Sequence, residues 1–293
     1  MKAVVTGGAG FIGLHLVKKL MALGWEVTVI DNFSTGDQNK LHALGCMYIE
    51  EDVENVTAAM KIEHDVLFHL AAPVSVEESL NDPNKYYRQI LGGTANIVNW
   101  SLDSGNRDII IASTAAIYGN SGDLPLIESG EIDPISPYAK AKHMSELALQ
   151  EEYETRQFKG SALRLFNVYG EGQRSEGGYL SAVPVFLKQY EAFQPITVTG
   201  DGKQTRDFVY VEDVVSACIS AYTDTVENGI QILNVASGQE TSVMDLAEAF
   251  GGEIVHIEER NEPKRSVADI TKIKTTLNWQ PLTRLLNWVK LIK

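Results

Sequence analysis

The segment YAKAK, residues 138 to 142, places a tyrosine and a lysine four positions apart. On a helix this spacing puts Tyr138 and Lys142 on one face. A phenol with an ordinary pKa near 10 is a poor base at neutral pH, and lowering that pKa by about 3 units takes roughly 4 kcal/mol of differential stabilisation. The Lys142 ammonium could supply part of it. Without a cofactor nearby, the pair would be an ordinary solvated helix face.

A glycine-rich segment, TGGAGFIG at residues 6 to 13, lies between the first predicted strand and the first predicted helix. Gly7, Gly10 and Gly13 permit a tight turn and let a pyrophosphate approach the helix N-terminus, whose N–H groups favour anions. Asp31 ends the next predicted strand, where a carboxylate would bind the adenosine ribose and repel a 2′-phosphate. The segment therefore predicts an NAD site, whose oxidised nicotinamide would be a second positive charge near Tyr138. The alternative is that the glycines serve only the turn.

Hydroxyl and acidic residues follow two further predicted strands. In IASTAAIYG, residues 111 to 119, Thr114 could hydrogen-bond a hydroxyl or keto oxygen of a substrate. The alternative is that Ser113 and Thr114 cap a following turn. Asp52 and Val53 could reach the adenine, with a solvated loop acid as the other interpretation.

The elements that must position these residues alternate along the first two-thirds of the chain. Short apolar, β-branched runs predict strands at 2–5, 26–30, 46–49, 66–69, 108–112 and 162–166, with helices at 11–23, 81–103 and 138–154. This pattern predicts an α/β fold, a Rossmann-like doubly wound parallel sheet with a smaller interleaved α/β lobe. The predicted division is a cofactor-binding domain over 1–168, to which 206–235 return, and a second lobe over 169–205 and 236–293.

Composition excludes several classes of partner. Acidic residues outnumber basic ones, 39 to 25, and the net charge of −14 would repel nucleic acid. We find no apolar stretch near the roughly 18 residues of a membrane span, so we expect a cytoplasmic protein with no membrane partner. Cys46 and Cys218 lack the spacing of a disulfide framework or of a metal site.

Together these segments resemble the extended short-chain dehydrogenase/reductase family, and within it the NAD-dependent nucleotide-sugar epimerases of the UDP-glucose 4-epimerase type. Further segments that carry the resemblance are DNFSTG (31 to 36), HLAA (69 to 72), 164–170, 200–213 and SVAD (266 to 269). The resemblance implies that Tyr138 is the base, Lys142 its partner and Thr114 the hydroxyl beside it. It also implies an NAD that is held tightly and recycled, and a second lobe that binds the nucleotide sugar.

The glycine loop and the resemblance together predict which residues contact each ligand. The predicted cofactor contacts are Gly7, Gly10, Phe11, Ile12, Gly13, Asp31, Asn32, Ser34, Thr35, Gly36, Asp52, Val53, Leu70, Ala71, Ala72, Ser113, Tyr138 and Lys142. The predicted contacts of the UDP-sugar are Thr114, Asn167, Arg206, Arg260, Arg265 and Ser266. Asn167 could instead end a strand in a turn, the arginines could be solvated charges, and Arg260 and Arg265 compete for one role.

The predicted reaction depends on positions 115 and 116. Dehydratases that resemble this chain carry Asp and Glu there, and the related decarboxylases keep a Glu, whereas this sequence has Ala115 and Ala116. We therefore expect epimerisation at C4 of UDP-glucose and UDP-galactose. A small residue, Ser266, leaves room for an N-acetyl group. The alternatives are a UDP-glucuronate or UDP-pentose 4-epimerase, or a dehydratase or reductase on the same site.

Two further expectations follow from the resemblance. Family members pair through two helices of each subunit, here 83–102 and 138–154, which implies a homodimer. Ile90 stands where the family usually has Asn, ahead of Gly93 and Thr94, and puts one supporting hydrogen bond in doubt.

Overall fold

The computed structural model describes residues 1–175, 181–224, 229–259 and 263–293. In chain order its strands are β1 (Lys2–Thr6), β2 (Glu26–Asp31), β3 (Met47–Glu50), β4 (Val66–His69), β5 (Asp108–Thr114), β6 (Lys159–Leu165), β7 (Asn167–Tyr169), β8 (Ile196–Thr199), β9 (Thr205–Tyr210), β10 (Gly229–Val235), β11 (Glu240–Ser242) and β12 (Ile254–Ile257). Its helices are α1 (Phe11–Ala22), α2 (Gln38–Leu44), α3 (Val76–Asn81), α4 (Pro83–Tyr86), α5 (Gly93–Asp103), α6 (Pro137–Arg156), α7 (Ala182–Glu191), α8 (Val211–Thr223), α9 (Val243–Phe250), α10 (Thr271–Leu277) and α11 (Leu285–Ile292).

Seven strands form one sheet in the order β3-β2-β1-β4-β5-β6-β10, and every neighbouring pair is parallel. The predicted doubly wound parallel sheet is therefore confirmed. The strand β4, VLFH, is buried at every position, as expected of a parallel strand covered on both faces. The order of the strands reverses between β1 and β4, and sheets of this kind bind ligands at that point, beyond the carboxyl ends of the strands.

Helices cover both faces of this sheet. Leu16 and Val17 of α1 pack in one apolar core with Val214 of α8. Ile97 of α5 and Leu149 of α6 belong to the core on the opposite face. The two cores pack on both faces of the sheet, so that the strand ends and the loops after them lie at fixed positions.

The prediction of one helix over 81–103 is wrong in one respect, because the helix is interrupted at Asp82. The Asp82 side chain accepts a hydrogen bond from the Lys85 N–H, and Pro83 occupies the first turn, so a new helix begins there. After α4 the residues Tyr87–Gly92 form a π-helical segment that continues into α5. This wider turn carries Ile90, which is buried in a small core with Tyr138.

Two smaller sheets stand apart from the large one. Strands β7, β9 and β11 form a three-stranded sheet, and β8 pairs with β12. Their core includes Tyr169, Phe208, Phe250 and Trp288. The chain leaves the large sheet at Leu165, one residue before the predicted strand end, and β10 brings it back. The boundaries of the two predicted lobes stay a prediction.

The helices in the described part of the chain include none with the length and apolar character needed to cross a membrane.

Candidate active site

The glycine loop joins β1 to α1 and has no room for a side chain at Gly7 or Gly13. Gly7 has φ +70°, and a Cβ there would lie 2.7 Å from the Ala71 nitrogen. A Cβ on Gly13 would lie 2.1 Å from the Gly7 carbonyl oxygen. Because Gly10 caps α1 and has no side chain, no side-chain cap takes the N–H groups of the first turn, where Phe11 and Ile12 lie. The loop therefore has the form of an anion cradle at a helix N-terminus.

The end of β2 is held against this loop by Asp31. The Asp31 carboxylate accepts hydrogen bonds from the Ala9 N–H at 2.9 Å and the Phe33 N–H at 2.8 Å. Each oxygen keeps a lone pair for a ribose hydroxyl. A Cβ on Gly36 would lie 2.5 Å from the Ala9 Cβ, so the following loop, with exposed Ser34 and Thr35, also packs on the glycine segment.

The loop after β3 joins the same cluster. The Asn32 amide donates to Asp52 at 2.6 Å, which ties the loops after β2 and β3 together. Val53 is buried, and its carbonyl oxygen accepts a hydrogen bond from the Asn96 amide of α5 at 2.7 Å. These bonds hold the loops that carry Asn32, Asp52 and Val53 together at the carboxyl ends of β2 and β3.

The segment after β4 lies on the other side of the glycine loop. The Leu70 N–H donates to the Thr6 carbonyl at 3.1 Å, and the Ala71 N–H donates to the Thr6 hydroxyl oxygen at 3.3 Å. His69, which was not predicted as a site residue, is buried and bonds Thr6 at 2.7 Å and Thr94 at 3.0 Å. Burial, with a smaller effect of the Lys142 charge, lowers the pKa of His69 to about 3, so the imidazole is neutral.

Tyr138 and Lys142 lie on the buried side of α6, close to the end of β5. Ser136 caps this helix by accepting from the Ala139 N–H at 3.1 Å. The Lys142 ammonium donates to the Ala112 carbonyl of β5 at 2.7 Å. Burial lowers the pKa of Lys142 to about 8, and the nearby Glu146 carboxylate opposes this effect. Tyr138 packs in a small core that Ala72 and Ala116 border.

One turn beyond Lys142, Glu146 forms a buried ion pair that the sequence did not reveal. The Arg164 guanidinium donates to Glu146 through Nε at 3.0 Å and through Nη2 at 2.8 Å, and the Ser113 hydroxyl donates to the same carboxylate. Ser113 and Arg164 face each other across β5 and β6. Arg164 also donates to the Tyr118 hydroxyl at 2.9 Å. The network fastens α6 to the ends of two strands.

Thr114 ends β5 and caps the short 3₁₀ turn Ala115–Tyr118. Its hydroxyl oxygen accepts from the Ala116 N–H at 3.1 Å, which is the capping interpretation considered above. That bond uses a lone pair and leaves the O–H hydrogen for another acceptor. The methyl groups of Ala115 and Ala116 follow directly, at the two positions where the resemblance places further acidic residues in dehydratases.

Asn167 and Arg206 lie on the three-stranded sheet. Asn167 begins β7, and its amide donates to the Asp207 carbonyl of β9 at 3.0 Å. Arg206 is half-buried, and its Nη1 donates to the Thr205 carbonyl at 2.8 Å. The Asp207 carboxylate accepts four hydrogen bonds, and burial, partly opposed by these bonds, raises its pKa to about 6.

The remaining predicted substrate residues lie along the segment before α10. Arg265 is exposed, and its Nε and Nη2 donate to Glu240 of β11 at 2.9 and 2.6 Å. Ser266 is half-buried beside it. Arg260 lies outside the described residues, so the competition between Arg260 and Arg265 stays open.

Comparisons with known proteins show the family. The model of the NAD dependent epimerase/dehydratase family matches residues 3–236. A Methanocaldococcus jannaschii protein assigned provisionally as a UDP-glucose 4-epimerase is 33% identical over 98% of each chain. UDP-glucuronic acid decarboxylase 1 of Xenopus tropicalis is 33% identical over 97% of this chain and 69% of its own.

Solved structures give the same result. UDP-glucose 4-epimerase of Thermotoga maritima with UDP-glucose has a TM-score of 0.93 at 32% identity, over 99% of this chain and 97% of its own. UDP-N-acetylglucosamine 4-epimerase of Methanobrevibacter ruminantium has a TM-score of 0.91 at 30% identity, covering 99% and 94%. UDP-glucose 4-epimerase of Thermus thermophilus, solved in complex with NAD, has a TM-score of 0.89 at 29% identity, covering 99% and 97%.

The residues present fit a dinucleotide. A pyrophosphate requires close approach to the backbone and N–H donors, which the glycine loop and the first turn of α1 offer. An adenosine ribose requires an acceptor for its hydroxyl groups, which the Asp31 carboxylate offers. The fold, the cradle and the comparisons agree, and the chain is an enzyme of the NAD-dependent epimerase/dehydratase family, related to enzymes that act on nucleotide sugars, with NAD as its cofactor.

Proposed function

We propose that this enzyme interconverts the C4 epimers of a UDP-sugar, UDP-glucose and UDP-galactose first, through a transient 4-keto sugar. One observation carries the proposal: methyl groups, Ala115 and Ala116, stand directly after Thr114, and Ala116 borders the core around Tyr138. Elimination of water from the sugar, or decarboxylation of a sugar acid, needs a further acid or base beside the sugar. Epimerisation at C4 needs none.

Tyr138 takes the proton from the sugar 4-hydroxyl in this proposal and later returns it. Bound NAD supplies the hydride acceptor and donor for C4. Thr114, whose O–H hydrogen is not used by its cap, donates to the sugar oxygen beside Tyr138. The 4-keto sugar turns over between the two transfers, which exposes its other face.

Lys142 favours the ionised form of Tyr138 by its charge. The ammonium is fixed by the Ala112 carbonyl and lies on the same helix face, one turn from the phenol. In a buried site a fixed positive charge acts through a low dielectric, so its effect on the phenol pKa is larger than in water.

The substrate residues of the proposal are Asn167, Arg206, Ser266 and one of Arg260 and Arg265. Asn167 and Arg206 lie on neighbouring strands of the three-stranded sheet, and their side chains can donate to a diphosphate. Ser266 is small and half-buried, so it would leave space for an N-acetyl group at C2 of the sugar. We therefore include UDP-N-acetylglucosamine and UDP-N-acetylgalactosamine among the substrates.

Incubation with each of the four UDP-hexoses, followed by chromatographic separation of the epimers, tests the proposal. We expect interconversion without added NADH and without a deoxy product. The matched variant Tyr138→Phe should lose at least about 10²-fold in kcat and keep its NAD, since general base catalysis contributes about 10²- to 10⁴-fold. A keto or deoxy product would replace the epimerase with a dehydratase or a reductase, and a UDP-pentose formed in a parallel incubation with UDP-glucuronate would replace it with a decarboxylase.

We also propose a homodimer in the cytoplasm, joined through the helical segment 83–102 and through α6. Met144 and Leu147 of α6 are exposed, 43% and 50%, on a helix whose other face is buried. Large apolar side chains exposed close together are typical of a protein interface. Light scattering should give a mass of about two chains, and Leu147→Glu should lower it; a monomeric parent protein would contradict the dimer.

A further inference from the structure

Asp207 is a fully buried carboxylate that the proposed mechanism does not use. It lies in β9, the central strand of the three-stranded sheet, and is 0% exposed. Its Oδ1 accepts from the Ser237 N–H at 2.7 Å and from the Ser237 hydroxyl at 2.7 Å. Its Oδ2 accepts from the Gly238 N–H at 2.9 Å and the Ala268 N–H at 3.2 Å. Burying an ionised carboxylate costs free energy, and the four N–H and O–H donors directed at Asp207 offset this cost.

The four donors come from two separate segments. Ser237 and Gly238 lie in the loop between β10 and β11, so they connect the large sheet to the small one. Ala268 lies two residues after Ser266, in the segment that precedes α10. The carboxylate therefore fixes both segments relative to β9.

The backbone of Asp207 adds a third segment. Its carbonyl oxygen accepts from the Asn167 amide at 3.0 Å, and Arg206 is its neighbour in β9. One residue thus joins Asn167, Arg206 and the segment of Ser266, which come from parts of the chain far apart in sequence.

We infer that Asp207 is the positioning residue of the UDP-binding site, where it holds the groups that contact the diphosphate and the sugar at their correct separation. This inference rests on the proposed function for the chemical class of the ligand. Asp207 does not touch the substrate and acts through the residues it holds. A displacement of about 1 Å in such groups can cost a large factor in binding or rate.

The chain contains a matched control in Asp213, a second buried carboxylate. Asp213 accepts from the Leu282 N–H at 3.1 Å and the Thr283 N–H at 3.0 Å. It therefore ties α8 to the C-terminal segment, in which no substrate residue is predicted. Asp207→Asn and Asp213→Asn both replace an acceptor oxygen with an NH₂ group that faces N–H donors, so both should lower stability.

Calorimetric titration of the NAD-loaded protein with UDP tests the inference, because it requires no turnover. We expect Asp207→Asn to raise the dissociation constant of UDP about tenfold or more. Asp213→Asn should change it less than about twofold. Ser237→Ala removes one hydroxyl donor in a fold that should otherwise persist, and should raise it about twofold to tenfold, the range of a single hydrogen bond.

Unchanged UDP affinity in Ser237→Ala and Asp207→Asn would overturn the inference, and so would an equal loss in Asp213→Asn, since general destabilisation would then explain the effect. A parent protein that binds UDP but epimerises no sugar would contradict the proposed function and leave the role of Asp207 standing. A parent protein that binds no UDP would overturn both.

Discussion

The end of the large sheet around Lys142, Glu146 and Arg164, where we propose catalysis, is called here the catalytic edge, and the part of the small sheet around Arg206, Arg265 and Ser266, where we propose substrate binding, is called the substrate edge. The two edges hold their polar groups in different ways. At the catalytic edge Lys142, Glu146 and Arg164 are buried, and each is bonded to the strand ends or to another of the three. At the substrate edge Arg206 and Ser266 are half-buried and Arg265 is exposed. The first edge is fixed by a wide parallel sheet, and the second by short strands joined through Asp207.

This difference indicates that the two edges serve different tasks. A base whose ionisation depends on a neighbouring charge needs a dry, rigid setting, because low dielectric strengthens that charge and rigidity keeps the distance constant. Ligand-binding groups on the small sheet can stay half-exposed, since they must admit a large, charged substrate. Substitutions should therefore affect cofactor binding and stability at the catalytic edge, and substrate selectivity at the substrate edge.

The largest effect is expected at the glycine loop. Gly13→Ala would place a Cβ 2.1 Å from the Gly7 carbonyl oxygen, so the loop must change shape and NAD binding should fall below detection. Gly10→Ala, with its Cβ 3.2 Å from the same oxygen, should weaken NAD binding less. Gly122→Ala, which meets nothing within 4 Å, is the control. The NAD content of the purified variants is measured by absorbance after denaturation. NAD retained in Gly13→Ala would contradict the role of the glycine loop in binding the cofactor.

The buried ion pair should carry a large share of stability at the catalytic edge. Glu146→Gln leaves the Arg164 guanidinium buried without its carboxylate, and we expect a loss of about 3–5 kcal/mol in the free energy of unfolding. Glu152→Gln breaks a partly exposed pair with Arg156 on the same helix and should cost about 0–1 kcal/mol. Urea denaturation of both variants measures the difference. Equal losses would mean that burial of the pair has no special effect.

Substitutions at the substrate edge should change which UDP-sugars the enzyme turns over. Ser266→Tyr fills the space proposed for an N-acetyl group, so turnover of the N-acetylhexosamine forms should fall about tenfold or more relative to UDP-glucose. The stability of the protein should change little, because position 266 is half-buried. Parallel loss of kcat/KM for both kinds of sugar would contradict the assignment of Ser266.

The pH dependence should be the smallest effect. Burial disfavours the Lys142 ammonium, so it loses its proton as the pH rises through about 8, below the range of a free lysine. Its support of the Tyr138 phenolate is then lost, so kcat/KM should fall as the pH rises, beginning below the range of a free lysine. In Glu146→Gln the fall should begin at lower pH, because the carboxylate that favours the ammonium is gone. A profile that is flat up to pH 10 would contradict the role of the charge.

The sequence predicted the elements whose signals are local. The glycine loop, the strand ending at Asp31 and the spacing of Tyr138 and Lys142 lie within short segments, and the alternation of strands and helices predicted the parallel sheet. Bonds between distant segments gave no local signal. The pair of Glu146 and Arg164 depends on the register of β5 and β6, and Glu146 could have been suspected only from its place on the Tyr138 face of α6.

Other features depended on contacts that no pattern specifies. The four donors of Asp207 come from residues 30 to 61 positions away. The π-helical segment before α5 has the apolar period of an ordinary helix, so the sequence predicted one helix across it. The segments that carry the proposed substrate residues contain little regular structure. There the residue types could be predicted from the sequence, but their positions could not.

In the proposed reaction, chemistry begins and ends at C4 of the sugar, and Tyr138 is the only proton carrier required. Incubation of the enzyme with UDP-glucose in D₂O, followed by proton NMR of the sugar, tests it most directly. We expect formation of UDP-galactose with ordinary hydrogen retained at C4 and no deuterium at C5. Deuterium at C5, or loss of the C6 hydroxyl, would show that a proton is removed from C5 and would contradict it.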